Sequence, residues 1–385
     1  RPNILFIMAD DHAAHALSCY NSNINETPNL DRIANEGAIL GNCFCTNSIC
    51  APSRASILTG TYNHINGVLD NKKSLDKKLI TFPEILQRNG YNTALIGKYH
   101  LKSDPTGFNY YNILPGQGHY YNPDFIENGR KTTYTGYVTD IITDQALKWL
   151  KNNNSKDPFC LLYQLKAPHS NFMPGPKYLN NYNNKTIPLP ETFFDNYKTR
   201  SSAAKKATMR IAEDMFYGWH LKLDPDLDKP EWIKNYWKNV YNRMNGEQQA
   251  AWDDAYKPKN KKFYESDLKE KNLAFWKYQR FIKDYLRCID GIDQNVGRIL
   301  DYLDSEGLTN NTIVIYTSDQ GFFLGDHGWW DKRFMYEHSL RMPLLVRYPE
   351  SIEPGNTSDA MVSNLDFAST FLDYANTPIP KDIQG

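Results

Sequence analysis

Asn3–Ile4–Leu5–Phe6–Ile7–Met8–Ala9 runs without a break into Asp10–Asp11–His12. An apolar run of strand length with no polar alternation reads as a strand covered on both faces, and such strands occupy the middle of parallel sheets. The acidic pair at its carboxyl end is the second half of the signal, because ligands in open α/β sheets gather where the strands end. Similar runs follow at Thr93–Ile96, Phe159–Leu165 and Thr312–Thr317, the last continuing into Ser318–Asp319–Gln320–Gly321. Helical periodicity lies between them, at Phe82–Arg88, Ile141–Leu150 and Tyr285–Glu306. Thr27–Pro28–Asn29 opens one more helix through Leu30, Ile33 and Ala34, which Gly37 stops. Strands alternating with helices predict an α/β protein with a large, mostly parallel central sheet flanked by helices.

The 385 residues are ample for a buried core, and 44 Lys+Arg balance 44 Asp+Glu. That balance leaves no bulk field to recruit nucleic acid or an anionic membrane, so an anionic substrate must be held by local charge. Mean hydropathy is −0.64. The longest apolar runs are strand-sized, far below the ~20 residues of a spanning helix, and no membrane span is expected. With 26 Tyr, 18 Phe and 8 Trp the composition is that of a folded chain. Residues 197–271, rich in Lys, Asp, Asn and Trp, read as a helical insertion on the surface, outside the sheet. Asn364–Leu372 starts another helix, and the chain stops at Gln384–Gly385 without a capping element.

Cysteines stand at 19, 43, 45, 50, 160 and 288. Cys43, Cys45 and Cys50 have one and four residues between them and no matching Cys/His pair downstream, a poor fit to a zinc motif. A disulfide among the others stays open at this point.

Cys50–Ala51–Pro52–Ser53–Arg54, continued by Ala55–Ser56–Ile57–Leu58–Thr59–Gly60, is similar to the signature of the sulfatases, C-x-P-S-R followed by L-T-G. The resemblance extends along nearly the whole chain in order and spacing. Ile7–Asp11 resembles the family's first strand, Gly97–Lys98–Tyr99–His100–Leu101 its G-K-W-H-L segment, and Ala167–Pro168–His169 its P-H element. Thr317–Ser318–Asp319 and Asp331–Lys332–Arg333 match as well. The resemblance implies an alkaline-phosphatase-like α/β sandwich that hydrolyses sulfate esters of glycans. It also implies a single catalytic domain over residues 1–385, with the family's smaller carboxyl-terminal subdomain lying beyond this chain.

Residue roles follow from the same resemblance. Cys50 is the position converted after synthesis to formylglycine, which requires a formylglycine-generating or anaerobic sulfatase-maturing enzyme as partner. Pro52 suits a first helical turn, whose amino end would face a bound sulfate. Arg54 would orient the nucleophile or contact the anion. Asp10, Asp11, Asp319 and Gln320 offer only oxygen ligands, which suits Ca²⁺, or alternatively Mg²⁺, bound beside residue 50. Gln320 departs from the Asn or His that many relatives carry. Lys98 and Lys332 would hold sulfate oxygens. His169 is favoured to protonate the departing sugar oxygen, with His100 contacting formylglycine or aiding sulfate release. For the saccharide, Trp329 and Trp330 are candidate stacking residues, Asp326, His327 and Arg333 are candidate hydrogen-bonding ones, and the Gly/aromatic loop Asn112–Pro123, which carries His119, would line the pocket mouth. Phe322–Tyr336 and Trp276–Asp284 most resemble carbohydrate sulfatases of the N-acetylglucosamine-6-sulfatase type. The partner would be a sulfated oligo- or polysaccharide, met in the periplasm or outside the cell. Two other readings compete: a phosphate mono- or diesterase of the same superfamily, and a non-catalytic sulfated-glycan binding protein with Cys50 unconverted.

Overall fold

The computed structural model describes residues 1–153 and 157–385. Its strands are β1 (Asn3–Asp10), β2 (Ala38–Phe44), β3 (Asn92–Lys98), β4 (Tyr110–Leu114), β5 (Asp124–Glu127), β6 (Arg130–Thr133), β7 (Phe159–Pro168), β8 (Thr312–Ser318), β9 (Phe323–Leu324), β10 (Trp330–Asp331), β11 (Arg341–Met342), β12 (Leu344–Arg347) and β13 (Asn356–Ser363). Eleven of them form one sheet in the order β11-β2-β12-β8-β1-β7-β3-β4-β5-β6, with β13 added beside β2. The stretch β8-β1-β7-β3-β4 is parallel throughout. Antiparallel pairing is found towards the flanks, where β12 joins β8 and β2, and β5 joins β4 and β6. The mostly parallel central sheet expected from the buried runs is therefore the core of a mixed sheet.

β1 shows why an unalternating run marks the centre. Leu5, Ile7 and Ala9 enter one hydrophobic core, while Ile4, Phe6 and Met8 enter the other. Helices Pro28–Asn35, Val138–Asn152 and Glu270–Ser305 contribute to the first core, and Cys50–Thr59, Phe82–Arg88 and Asp366–Tyr374 to the second. Phe6 meets the rings of Phe367 and Phe371 edge-on at centroid separations of 5.5 and 5.4 Å. Phe6→Ala should cost about 3–5 kcal/mol through lost burial and the residual cavity, read as a lower urea midpoint at unchanged slope.

Residues 197–271 contain helices Ser202–Lys206, Glu231–Asn242 and Gly246–Tyr264 and no strand. Trp237, Trp252 and Tyr256 from this stretch are buried in the same core as β1. The helix read from Tyr285 begins earlier, at Glu270, and runs 36 residues to Ser305. All six cysteines are free thiols. Among the described residues no helix is long and apolar enough to cross a membrane.

Candidate active site

β1, β3, β7 and β8 deliver their polar ends to one place. β1 ends in Asp10, followed by Asp11 with φ of 71°, and β8 is followed by Asp319 and Gln320. The two strand ends are cross-tied: the Asp319 amide donates to the Ala9 carbonyl at 3.2 Å, and the Asp11 amide to Asp319 Oδ1 at 3.2 Å. β3 carries Lys98 at its last position, after Gly97 with φ of 110°. A Cβ on Gly97 would lie 1.8 Å from the Gln164 carbonyl oxygen, so only glycine lets β3 pack on β7 while presenting Lys98.

The signature folds as the helix Cys50–Thr59, with Cys50 first in it and Gly60 closing it at φ of 63°. Pro52 sits in the first turn, where its missing donor costs nothing. Ile49 at the amino end supplies no side-chain cap, so first-turn amides are left to other acceptors; Ala51 donates to Asn71 Oδ1 at 3.1 Å. Ser53 donates its hydroxyl to the Asp319 carbonyl and accepts from Asn364 Nδ2 at 2.9 Å, which pins the helix to the end of β8. Arg54 is nearly fully buried and turns inward: Nε donates to Asp319 Oδ2 at 3.0 Å and an NH1 proton goes to the Lys98 carbonyl at 2.7 Å. It positions the acidic cluster and the lysine strand together.

Cys50 Sγ lies 3.5 Å from Asp10 Oδ1 and 3.5 Å from Lys332 Nζ. Burial pushes its thiol up to about 12 despite the nearby Lys332 and Lys98 cations. A thiol so held is uncharged at neutral pH and a poor nucleophile. Lys98 pairs with Asp10 and also donates to Gln117 Oε1 at 2.5 Å; Lys332 pairs with Asp11. His169 Nδ1 faces the Ser170 carbonyl at 2.7 Å, which makes it the donor and leaves Nε2 towards the site, 3.8 Å from Asp11 Oδ2. Burial holds both His169 and His100 below the usual imidazole range, His100 at about 2, so both are neutral here.

Carboxylate oxygens of Asp10, Asp11 and Asp319 lie within 4.8 Å of one another, all fully buried. Burial raises Asp319 to about 7, with Asp10 and Asp11 adding to the rise. Asp11 is raised by burial as well, whereas at Asp10 the Lys98, Arg54 and Lys332 charges outweigh burial and hold it low. Such crowding is costly without a further cation. Gln320 donates its amide nitrogen to Asp11, leaving Oε1 buried with no hydrogen-bond partner. Three carboxylates and one orphaned amide oxygen fit a hard divalent cation.

The saccharide candidates divide. Arg333, half-exposed and paired with Asp331, lies near Asp11 and Cys50. His119 is partly buried near Arg243 and Lys166, and burial pushes it down to about 4. Trp330 is partly buried between His220, at a ring separation of 4.3 Å, and Phe172. Trp329 is not a stacking platform: it is fully enclosed, stacked on Tyr197 at 5.5 Å and packed on Phe323, with no face left for a sugar. His327 is likewise committed, buried with Nδ1 2.9 Å from Asp195 Oδ2, which fixes the loop instead of meeting a ligand.

Sequence reasoning missed several residues that complete the site. Gln117 beside Lys98 lies in the Gly-rich loop already suspected of lining the pocket, and that was its only signal. Tyr285 from the long helix donates to the Asp11 carbonyl at 2.7 Å and accepts from the Ala13 amide at 2.9 Å. Lys166 is buried with Nζ 4.6 Å over the Tyr120 ring, and burial plus the Lys98 charge lower it to about 7.

Residues 2–377 match the sulfatase family. The chain is 49% identical over 391 residues to an N-acetylglucosamine-6-O-sulfatase of Bacteroides thetaiotaomicron, covering 100% of this chain and 70% of that relative. It superposes with a TM-score of 0.96 and 49% identity on a solved complex with the substrate D-glucosamine-2-N,6-O-disulfate, covering 100% of this chain and 78% of the other. A phosphonate monoester hydrolase from Silicibacter pomeroyi matches with a TM-score of 0.67 at 20% identity, over 100% of this chain and 75% of that one, a likeness of fold alone.

Proposed function

The chain belongs to the sulfatase family, and from that premise we propose that it removes the 6-O-sulfate of N-acetylglucosamine or glucosamine in sulfated glycans, with Cys50 converted to formylglycine. It is a sulfuric ester hydrolase. One observation carries the choice of sugar: 49% identity over the whole chain with the Bacteroides enzyme of that specificity.

The chemistry that a formylglycine hydrate supplies is attack on sulfur by one hydroxyl and release of sulfate through the other. Asp10, Asp11, Asp319 and Gln320 would hold Ca²⁺, or alternatively Mg²⁺, which neutralises sulfate charge. The chain's own residues do the remainder. Lys98 and Lys332 each carry three donors, more than their present partners use, and place positive charge where the transferring sulfuryl oxygens gain negative charge. Arg54 fixes Asp319 and the Lys98 backbone, so the metal set and the lysine move as one body. His169 presents Nε2 to the site; a proton taken up there with the anionic substrate passes to the leaving sugar oxygen. His100, at the end of the Gly97–Lys98 turn, has a buried Nδ1 free of partners and can take the proton that frees sulfate.

His169→Ala should slow a sugar sulfate by about 10²–10³-fold and a nitrophenyl sulfate far less, because nitrophenolate leaves without protonation. Comparing kcat for the two substrates checks the assignment; equal losses would move the acid elsewhere.

Secretion or periplasmic residence, and maturation by a formylglycine-generating or anaerobic sulfatase-maturing enzyme, belong to the same proposal. The test of function is sulfate release from a panel of defined sulfated monosaccharides. The 6-sulfate of N-acetylglucosamine or glucosamine should be cleaved fastest. Faster cleavage of another position, or of an aryl phosphate over an aryl sulfate, contradicts the reading.

A further inference from the structure

A pocket of about 530 Å³ opens between helices Gly246–Tyr264 and Glu270–Ser305 and the loop at 180–184, lined by residues that take no part in the catalytic centre. Trp276, Arg280, Lys283 and Arg287 line it from the long helix. Their spacing of four, three and four residues places them along one helical face. Tyr285, which meets Asp11, projects from the opposite face. Lys259 and Lys262 close the pocket from the other helix.

Charge here departs from the balance of the whole chain. Five of the thirteen lining residues are Lys or Arg and only Asp254 is acidic, although the chain carries no net charge. The carboxylate beneath, Asp284, is already shared by Arg287 NH1 at 2.6 Å, the Tyr256 hydroxyl at 2.6 Å and Lys222 at 3.6 Å. Arg280 is 7% exposed, and its NH1 is buried without a hydrogen-bond partner. Its NH2 donates to Asn260 at 3.0 Å, and its guanidinium lies over Tyr256 and Trp276 at 5.4 and 5.1 Å, so the unpaired donor is held in place. Burial and the charges of Arg287, Arg280 and Lys283 push Lys259 down to about 7. The counter-charge near Arg280 is Asp284, shared with Arg287 and Lys222, and a desolvated NH1 donor left without an acceptor there is costly unless an anion completes it.

We propose that this pocket is a second anion site, which holds a sulfate or carboxylate of a sulfated glycan away from the catalytic centre. The glycan identity of the ligand rests on the function proposed above. The oxyanion pairs with Arg280 NH1 and the surrounding lysines, while the amides of Asn180, Asn183 and Asn184 offer hydrogen bonds to the sugar. Such a site tethers a polyanionic chain and raises its local concentration without touching the sulfate being cleaved.

The test compares wild type with Lys262→Glu/Lys283→Glu, whose changes lie outside the catalytic set. Calorimetry with a heparin hexasaccharide should show affinity falling by about tenfold or more, with a shallower salt dependence. Turnover of N-acetylglucosamine 6-sulfate should be unchanged. Equal hexasaccharide affinity in the two proteins overturns the proposal. So does a monosaccharide rate that falls together with affinity in both this variant and the milder Lys262→Gln/Lys283→Gln. Inorganic sulfate alone binding as tightly as the hexasaccharide, with the same sensitivity to the variant, makes this a free-anion site and overturns the glycan assignment. Charge-dependent hexasaccharide binding in a protein that cleaves no sugar sulfate supports the pocket and refutes the desulfation reading alone.

Discussion

Cys50→Ser protein, made where no serine-converting enzyme exists, should release sulfate on the order of 10⁶-fold more slowly than mature wild type while still binding substrate. Residue 50 is buried at the amino end of its helix, against Asp10 and Lys332, where even a thiol is pushed up to about 12 and stays neutral. A serine hydroxyl is a weaker acid still. If it did attack sulfur, the sulfate ester formed would have no second hydroxyl through which to expel sulfate, so turnover would stop after one event. Steady-state sulfate release and calorimetric substrate binding, measured on the same preparation, check both halves.

Asp319→Asn comes next in expected effect. Asp319 accepts from the Asp11 amide and from Arg54 Nε, and its carbonyl accepts from Ser53, so it joins the metal set to the signature helix. The amide preserves shape and removes one of three crowded charges. The metal concentration needed for half-maximal activity should rise on the order of 10²-fold or more, since ligand charge count tunes calcium affinity over decades. The stability consequence has the opposite sign. Burial and the neighbouring carboxylates raise Asp319 to about 7, so the metal-free fold loses stability as pH rises from the usual carboxylate range to about 7 and carries the full penalty of the ionised group above it. With chelator present at pH 8, the variant should melt no lower than wild type. A lower melting temperature together with unchanged metal demand would remove Asp319 from the ligand set.

The parallel core was legible because β1, β7 and β8 are buried along their whole length, and burial on both faces writes an unalternating apolar run. The flanks were not. β6 is mostly exposed Arg130–Thr133, and β13 is largely exposed Asn356–Ser363, so neither carries apolar periodicity to read. The long helix was read only from Tyr285, because its first turns leave Glu270, Lys271 and Asn272 in solvent. At the site, residues within contiguous motifs came together as expected, since strand ends and a helix start fix their places. Trp329 went wrong because a residue type does not say which way it faces: His327–Gly328–Trp329 turns the indole onto Tyr197. Gln117 and Tyr285 reach the site through tertiary packing, and nothing adjacent in sequence announces it.

A modified residue 50, and not its thiol, is proposed to turn over sulfate esters. Preparations matured to different extents should be assayed for sulfate release from N-acetylglucosamine 6-sulfate, with the aldehyde fraction at residue 50 measured by peptide mass spectrometry. Activity should be proportional to the aldehyde fraction and extrapolate to zero without it. Full turnover by protein that carries only the free Cys50 thiol would contradict it.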